Sequence, residues 1–342
     1  MSLATRAVFE DVPAVGQPRE VAPGIHWLRM ALPFALDHIN LWLLEDGDGW
    51  TIVDTGINRD ETKDAWEGVF ANVFQGRPLK RVVVTHFHPD HMGLAGWLTE
   101  KFGVRMWAPL AEWTFARMMC LETDDNFHGI NRPFYRKAGF SGERLAAMDA
   151  RGNPYRKSVS PVPTSFVRIA DGDNISINGR NWRVIVGRGH SPEHACLVCE
   201  DPRVMISGDQ ILPKISPNVS VWPNEPDGNP LRLFLDSLPR FKGVAADTLV
   251  LPSHNWAFTG IQERLNELAH HHDERLDETV VACAEPSTGV DVLGRLFKRQ
   301  LDNHQLFFAI GETLAHLHYL QGVGRIARTT DADGVDWFHA AA

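Results

Sequence analysis

The chain has 342 residues, of which 44% are hydrophobic and 23% are charged, and its formal net charge is -9 at pH 7. This length suits one large domain with a small appendix, or two modest domains. The apolar fraction excludes wholesale disorder, and the negative charge argues against a protein that coats nucleic acid or an anionic membrane. The sequence has no run of about 18 apolar residues, so no membrane-spanning helix is expected.

The N-terminus and the cysteines indicate a reducing compartment, and we expect a cytoplasmic protein. Residues 1–17 lack the basic start and the apolar block of a secretory signal. The four cysteines are scattered and do not form a disulfide framework. Cys196 and Cys199 form a single C-x-x-C motif, but the second pair that a zinc ribbon needs is missing from the sequence. We therefore interpret both as core residues of a strand.

The first third of the chain alternates between strand and helix patterns, which predicts a mixed α/β sheet. Apolar and β-branched runs predict strands at residues 24–30, 39–44, 50–53, 81–85 and 104–108. Periodic apolar positions predict helices at residues 62–74 and 93–102. Residues 46–49, Asp-Gly-Asp-Gly, are typical of a hairpin turn.

Residues 109–165 break this alternation, and we interpret them as a helical insertion lying over the sheet near the active site. Helical patterns cover residues 111–121 and 142–150, joined by polar stretches rich in proline and glycine. Strand patterns then return at residues 175–177, 182–186, 195–199, 204–207 and 249–251, with a helix at 230–238. The first predicted domain is therefore 1–258, and the insertion is part of it.

In residues 259–342 helical patterns replace the alternation of strands and helices, and we expect a small C-terminal domain there. A long amphipathic helix begins near residue 261, shorter helical patterns cover 290–299 and 304–320, and a final strand covers 335–338. Helices followed by a small hairpin resemble a winged-helix module. From residue 285 to the end the sequence has five Lys and Arg against seven Asp and Glu. Because a DNA-binding module normally presents a basic face, we favour a packing or dimerisation module, with a homodimer as an open alternative.

Four metal-binding side chains, His86, His88, Asp90 and His91, lie within six positions directly after the predicted strand 81–85. Imidazole and carboxylate groups bind zinc, iron or manganese. In an extended loop, His86 and His88 point the same way and can share one metal ion. Asp90 and His91 follow the turn at Pro89 and can face a second ion.

This H-x-H-x-D-H segment resembles the signature of the metallo-β-lactamase fold superfamily. Further motifs resemble the rest of that signature, namely Gly189–His194 around His190, Ser207-Gly208-Asp209, Pro252-Ser253-His254, and Val53-Asp54-Thr55-Gly56. The resemblance covers about residues 20–258. It implies an α/β fold, a four-layer αββα sandwich of the metallo-β-lactamase type, here with the helical insertion and the winged-helix-like C-terminal domain.

The resemblance also implies the roles of the site residues. His86, His88 and His190 would bind one divalent metal ion, and Asp90, His91 and His254 a second. Asp209 would bridge the two ions opposite a hydroxide, since two cations lower the pKa of a shared water. Asp90 and Asp209 are therefore candidate catalytic residues, and we expect Asp54 to orient a metal-bound histidine or the water. Zinc is the expected metal, with iron and manganese as alternatives.

Four other histidines are not expected to bind a metal ion. We expect His194 to lie beside the site or in a strand. The run His270, His271 and His272 spreads around a helix instead of converging on one point, so we interpret it as a solvated face.

The resemblance is nearest to the glyoxalase II and lactonase group, or to the branch with a C-terminal winged-helix-like domain. We therefore expect hydrolysis of a small ester, thioester (including acyl-CoA) or lactone, in which the bridging hydroxide attacks the acyl carbon. A metal-dependent phosphodiesterase or ribonuclease is an alternative that the negative charge disfavours. A metal-bound sensor with a DNA-binding tail is a second alternative. A single-iron oxygenase ranks lower, because the ligand set for a second metal is complete.

Candidate substrate-binding residues come from the insertion and from the loop after Asp209. We name His128 and Tyr135 in the insertion, and Asn218 and Trp222 in the loop. The basic residues of the insertion could meet the phosphates of a coenzyme A thioester. The expected partner is thus a small molecule, with no membrane and no nucleic acid.

Overall fold

A computed structural model describes residues 5–150, 152–298 and 300–341. The strands in chain order are β1 (Arg6–Ala7), β2 (Arg19–Ala22), β3 (Ile25–Ala31), β4 (His38–Asp46), β5 (Gly49–Val53), β6 (Leu79–Val83), β7 (Met106–Ala108), β8 (Val167–Arg168), β9 (Asn174–Ile177), β10 (Arg180–Gly187), β11 (His194–Glu200), β12 (Arg203–Gly208), β13 (Leu249–Pro252), β14 (Phe258–Thr259), β15 (Ser287–Thr288), β16 (Ile326–Thr330) and β17 (Asp336–Ala340).

The α-helices in chain order are α1 (Asp60–Val69), α2 (Pro89–Met92), α3 (Ala95–Phe102), α4 (Leu110–Leu121), α5 (Asp124–Lys137), α6 (Gly142–Asp149), α7 (Pro154–Ser158), α8 (Pro230–Ser237), α9 (Ile261–Ala282), α10 (Gly289–Leu296) and α11 (Asn303–Gly322). A π-helical turn at Phe70–Phe74 continues α1, and a 3-10 turn at Leu238–Phe241 continues α8. Among the residues described here, no helix is both long enough and apolar enough to cross a bilayer.

The chain packs into two compact units, each of which is discontinuous in sequence. The first unit holds the described residues up to Leu121, together with Pro154–Pro217 and Arg240–Leu265. The second holds the described residues of Glu122–Asn153, Asn218–Pro239 and Asn266–Ala342. The domain boundary predicted at 258/259 stays a prediction, whereas the packing divides the chain at several points.

Two seven-stranded sheets form the first unit. One has the order β2-β3-β4-β5-β6-β7-β8 and the other has the order β1-β14-β13-β12-β11-β10-β9. The pairs β5–β6, β6–β7, β7–β8 and β12–β13 are parallel, and the other pairs are antiparallel. The carboxyl ends of β5 and β6 therefore meet at one sheet edge, and those of β12 and β13 meet at one edge of the other sheet.

Each sheet buries both faces, which gives the αββα layering. Alternate residues of β4 face opposite sides. Trp42 lies in the core between the two sheets with Val184 and Leu197, while Leu41 lies in the core beneath helices α1 and α3. The rings of Trp27 and Trp42 stack at a centroid distance of 6.1 Å within the core between the sheets. The predicted mixed α/β sandwich is confirmed.

The second unit combines helices with a small antiparallel sheet of order β15-β17-β16. In its C-terminal part the order is helix α9, strand β15, helices α10 and α11, then the hairpin β16–β17. Thr288 begins α10 with a capping box, because its hydroxyl accepts from the N–H of Asp291 and the Asp291 carboxylate accepts from the N–H of Thr288. The winged-helix-like description of this module stays a prediction.

The predicted insertion 109–165 is divided between the two units. Helices α4 and α7 belong to the first unit, and α5 and α6 belong to the second. Helix α5 is not among the predicted helices, and Pro133 lies inside it, although proline normally breaks a helix. The helix forms nevertheless, since Thr123 caps its first turn by accepting from the N–H of Asn126, and it buries Phe134 and Tyr135.

The interpretation of His270, His271 and His272 as a solvated face is wrong for one of the three. His270 is exposed and pairs with Glu274, but His272 is only 1% exposed. Its Nδ1 lies 3.3 Å from Nε2 of His316, and its ring lies against Phe234. Burial, and after it the charge of the neighbouring imidazoles, lowers the pKa of His272 to about 3. Helix α9 therefore buries His272 in the core of the second unit.

His272 should make the protein less stable in acid. An unfolded histidine titrates near 6.5, and the folded His272 stays neutral down to about 3, so the unfolded state takes up a proton first as the pH falls. Between these limits the residue costs about 1.4 kcal/mol of stability per pH unit. Urea denaturation at pH 7, 6 and 5 should show a smaller loss of stability for His272→Asn than for the unaltered protein. Equal pH slopes for the two proteins would contradict the assignment.

Candidate metal centre

The seven candidate ligands all belong to the first unit and follow the ends of its strands. His86 and His88 lie in the loop after β6, and Asp90 and His91 lie in the short helix α2. The other three ligands are His190 between β10 and β11, Asp209 directly after β12, and His254 after β13. The structure brings all seven together into two adjoining groups of ligand atoms.

Cluster 1 consists of His86, His88, His190 and Asp209. Nε2 of His86 lies 3.0 Å from Nδ1 of His88 and 3.2 Å from Nε2 of His190. Asp209 contacts this cluster through its Oδ2, which lies 3.5 Å from Nε2 of His190. Three imidazole nitrogens and one carboxylate oxygen therefore converge on one point, which is the donor set that zinc and similar ions prefer.

Cluster 2 consists of Asp90, His91 and His254. Oδ2 of Asp90 lies 3.4 Å from Nε2 of His254 and 3.7 Å from Nε2 of His91. Oδ1 of Asp209 reaches the same two nitrogens, at 3.4 Å from His254 and 3.6 Å from His91. Two imidazoles and two carboxylates thus surround a second point, and Asp209 is shared because its two oxygens face different clusters.

His86 and His88 of cluster 1 are neutral bases at neutral pH. Burial lowers the pKa of His86 well below its usual range, and the neighbouring imidazoles lower it further. Burial and then His190 lower the pKa of His88 to about 3. A neutral imidazole presents a lone pair, so cluster 1 is ready to bind a cation without first losing a proton.

Cluster 2 holds protons in the absence of a cation. Burial lowers the pKa of His254, but the carboxylates of Asp209 and Asp90 outweigh burial and raise it to about 10. Burial also lowers the pKa of His91, and the carboxylates of Asp54, Asp90 and Asp209 raise it well above its usual range. A metal ion that binds here must displace these protons, so its affinity should rise with pH.

The residues fit a divalent metal ion. Nε2 of His91 is buried and has no hydrogen-bond partner among the described residues, although buried polar atoms are nearly always paired. Nε2 of His86 lies 3.0 Å from a nitrogen of His88 and 3.2 Å from a nitrogen of His190, an arrangement of nitrogens that a cation stabilises. The first unit therefore contains a His/Asp metal-binding cluster, as the sequence predicts.

Asp54 orients one histidine of each cluster, as the sequence analysis expects. Its Oδ2 accepts from Nδ1 of His91 at 2.8 Å, which leaves Nε2 of that ring free to bind metal. It also accepts from the hydroxyl of Thr85, whose oxygen lies 3.0 Å from Nδ1 of His86. The hydroxyl proton points to Asp54, so Thr85 accepts from the His86 N–H and leaves its Nε2 free. Asp54 is fully buried and has φ 61°, a strained conformation often found at functional sites.

His194 supports the shared carboxylate. Its Nε2 accepts a hydrogen bond of 3.0 Å from the backbone N–H of Asp209, and its ring lies 4.7 Å from that of His86. It therefore lies beside the site, as expected. Gly208 makes this approach possible, because a Cβ there would lie 2.4 Å from the His194 ring and the residue has φ +53°. The close approach of the His194 ring thus explains why the Ser207-Gly208-Asp209 motif has glycine at its second position.

His38 and Glu112 are residues that the sequence analysis missed as parts of this site. The carbonyl oxygen of His38 accepts from Nδ1 of His254 at 2.9 Å, which again leaves Nε2 free. Glu112 on α4 is 0% exposed and accepts hydrogen bonds from both loops that carry the histidines of cluster 1. Burial raises the pKa of Glu112 to about 7, against the lowering effect of these donors. The only signal in the sequence is that Glu112 shares a helix face with the apolar Ala116, four positions on.

The four predicted substrate-binding residues all lie in the second unit, and their role stays a prediction. Tyr135 is 5% exposed and packs against Phe140 and Phe307. The side-chain oxygen of Asn218 accepts from the Ser220 hydroxyl at 2.7 Å. The Trp222 ring makes an edge contact with Phe308, and His128 is half-buried beside Phe127.

Two family models match the chain. The model described as "Metallo-beta-lactamase superfamily" matches residues 35–254, which contain all seven ligands. The model described as "Metallo-beta-lactamase-like, C-terminal domain" matches residues 276–341.

Solved structures and a curated relative agree with these matches. A crystal structure of a "Beta-lactamase domain protein" from Burkholderia ambifaria is 45% identical, with a TM-score of 0.89 over 97% of this chain and 96% of that one. A "metallo-beta-lactamase family protein" from Thermus thermophilus is 28% identical, with a TM-score of 0.80 over 94% and 100%. "Probable metallo-hydrolase YqjP" from Bacillus subtilis is 26% identical over 86% of this chain and 91% of its own length.

Replacement of Asp54 by asparagine should weaken metal binding. Asparagine tolerates a positive φ, but its NH₂ group must oppose either the backbone N–H of Thr85, which Oδ1 of Asp54 accepts at 2.8 Å, or Nδ1–H of His91, which Oδ2 accepts at 2.8 Å. Either orientation disturbs the support of a ligating ring, that of His86 through Thr85 or that of His91 directly. We expect a loss of roughly 10–100-fold in metal affinity. Zinc titration of the metal-free protein against a chromophoric chelator measures this loss. Asp60→Asn, at an exposed carboxylate of α1, is the control and should bind zinc like the unaltered protein. Unchanged affinity in Asp54→Asn would refute the orienting role.

Proposed function

The chain belongs to the metallo-beta-lactamase superfamily, and from that premise we propose that it hydrolyses a small thioester, ester or lactone with two divalent metal ions. Cluster 1 would hold one ion and cluster 2 the other. Zinc is the metal that we propose, since the ligands are nitrogen and oxygen atoms. A cytoplasmic location is part of the proposal, because all four cysteines are free thiols.

One observation carries the two-metal proposal, namely the position of Asp209. Its Oδ2 faces His190 of cluster 1 at 3.5 Å, and its Oδ1 faces His254 of cluster 2 at 3.4 Å. A carboxylate in this position would be able to hold both ions, and its negative charge would offset their mutual repulsion. The charges of His254 and His91 hold the pKa of Asp209 well below its usual range, against the effect of burial, so the carboxylate is ionised at neutral pH.

The ions would supply two effects, a lowered pKa of a shared water and polarisation of the acyl oxygen. The protein residues would keep the ligands in place during turnover. Asp54 holds the proton on Nδ1 of His91, and the carbonyl oxygen of His38 holds the proton on Nδ1 of His254. Asp90 has the more exposed carboxylate of the two in the site, with a side chain 18% exposed against 11% for Asp209. We therefore propose that Asp90 is the carboxylate ligand of cluster 2 that lies nearer to solvent, where a substrate would enter.

The substrate class is supported by two more distant relatives. A "Hydroxyacylglutathione hydrolase" from Rhodopseudomonas palustris is 23% identical over 49% of this chain, and the "Atrochrysone carboxyl ACP thioesterase" AacuM from Aspergillus aculeatus is 24% identical over 52%. Both names describe hydrolysis of a thioester. Thioesters are therefore our first choice of substrate, and phosphodiesters are the alternative that a substrate screen must exclude.

A substrate panel tests the proposed class. The zinc-loaded protein should hydrolyse an acyl-coenzyme A or an acylglutathione faster than bis(p-nitrophenyl) phosphate or a short RNA. The other acyl substrates in the panel are a lactone and an aryl ester. Removal of the metal with a chelator should abolish the reaction, and added zinc should restore it. The proposal fails if turnover is confined to the phosphodiesters, or if the chelated protein keeps its full rate.

Asp209→Ala should remove the shared carboxylate and, with it, one metal ion and most of the activity. Because it deletes a ligand itself, the loss in kcat/KM should exceed the roughly 100-fold expected for loss of a residue that only orients a ligand. Metal analysis and thioester hydrolysis measure the two effects. The matched control is Asp247→Ala, which removes an exposed carboxylate of the same unit that pairs with Arg203. An Asp209→Ala protein that keeps two metal ions and full activity would refute the bridging role.

A further inference from the structure

Helix α4 places a buried carboxylate between two chain segments that carry ligands of cluster 1. Glu112 is 0% exposed. Its Oε2 accepts from the backbone N–H of Phe87 at 2.9 Å, and Phe87 is the residue between His86 and His88. Its Oε1 accepts from the Ser191 hydroxyl at 2.8 Å and from the backbone N–H of Glu193 at 2.6 Å. Ser191 follows His190 directly, so one side chain fixes the chain beside all three histidines.

The contact is reciprocal, which makes it rigid. The carboxylate of Glu193 accepts from the N–H of Ala111 at 2.9 Å, in the first turn of α4. A carboxylate at a helix N-terminus satisfies a free N–H and favours the helix dipole. Helix α4 and the loop after His190 therefore each hold the other through a glutamate, Glu112 in one direction and Glu193 in the other.

The peptide groups on both sides of Phe87 are fixed. Glu112 accepts from the Phe87 N–H, and the Tyr155 hydroxyl on α7 donates to the Phe87 carbonyl oxygen at 2.5 Å. His88 follows at once, and its Nδ1 must stay 3.0 Å from Nε2 of His86 for the two to share an ion. A rotation of this backbone segment would separate the two nitrogens.

A buried carboxylate is costly unless it gains a matching set of hydrogen bonds. All partners of Glu112 named above are neutral groups, and the ion pairs found among the described residues include none to its carboxylate. A packing role would be served better by an apolar side chain such as leucine. Only a side chain with two acceptor oxygens can accept from these three donors, which belong to two separate segments.

We propose that Glu112 is a positioning residue that sets the metal affinity of cluster 1 by holding the loops of His86, His88 and His190 in register. It touches the segments of cluster 1 and neither Asp90, His91 nor His254, so cluster 2 is independent of it. The inference rests on the metal-binding part of the proposed function and not on any substrate.

Glu112→Gln is the sharpest test, because it keeps the size and shape of the side chain. An amide has one acceptor oxygen and one NH₂ group that can only donate. If the oxygen faces Ser191 and Glu193, the NH₂ opposes the Phe87 N–H. If the amide flips, the NH₂ opposes the Glu193 N–H. Either orientation releases one of the two segments, so glutamine cannot hold cluster 1 together.

The experiment measures two zinc equivalents separately, by titration of the metal-free protein against a chromophoric chelator. His88→Ala and His254→Ala identify which equivalent belongs to cluster 1 and which to cluster 2. In Glu112→Gln we expect the cluster 1 equivalent to bind roughly 10–100-fold more weakly, as for other residues that orient a ligand. The cluster 2 equivalent should keep its affinity.

Asp46→Asn is the matched control, since Asp46 is also a buried carboxylate of the first unit that accepts from a hydroxyl, a backbone N–H and a side chain. Its partners are Thr51 at 2.9 Å, Asn178 at 3.0 Å and Arg81 at 3.0 Å. It ends β4, roughly 27 Å from His38 at the start of the strand, at about 3.4 Å per residue. This variant should lower the Tm and leave both zinc equivalents unchanged.

The result can separate the two proposals. A selective weakening of the cluster 1 equivalent supports the inference, even if no thioester is hydrolysed. Equal weakening of both equivalents, or no weakening in a folded Glu112→Gln protein, overturns it. The inference also fails if Glu112→Gln loses no more zinc affinity at cluster 1 than Asp46→Asn does, because the effect would then be one of stability alone.

Discussion

The carboxylate of Asp209 is the interaction on which the site depends. Its two oxygens face nitrogens that come from different parts of the fold, His190 on one side and His91 and His254 on the other. Asp209 directly follows β12, and His254 follows β13, the parallel neighbour of β12. His91 follows β6 of the opposing sheet. One side chain can therefore be shared only because two sheets pack face to face and end their parallel strands together.

The second constraint is that an imidazole ligates well only when its other nitrogen is held. In this protein a different acceptor does this for three of the five rings, a carboxylate for His91, a hydroxyl for His86 and a backbone carbonyl for His254. The three acceptors are buried or part of the backbone, so they cannot move to follow a ring that turns. The protein thus uses buried polar groups to orient these rings, and Nε2 of His91 has no hydrogen-bond partner among the described residues.

The two clusters differ in how they carry charge. His86 and His88 in cluster 1 are neutral because burial and the neighbouring imidazoles oppose protonation, whereas His254 and His91 in cluster 2 stay protonated beside carboxylates. The clusters should accordingly differ in the pH dependence of metal binding, although they share Asp209. The difference arises from the neighbours and not from the residue types, because both clusters use histidine and aspartate.

Taken alone, the sequence determined a mixed α/β sheet and the histidine-rich segment through local patterns, and the resemblance of its motifs to the metallo-β-lactamase signature implied the full ligand set and the αββα layering. His86 to His91 are separated by at most five positions, and each other ligand lies within four positions of the end of a strand that the sequence pattern predicts. Only the tertiary structure decided the supporting residues. Glu112 meets Ser191 across 79 positions, and His254 meets His38 across 216. His272 is different, because it lies four positions from both Leu268 and Leu276, so helical periodicity already placed it on the apolar face of α9. Only its partners, His316 and Phe234, were decided by the packing. Periodicity reports which face of one element is apolar, whereas a contact between distant elements depends on how they pack.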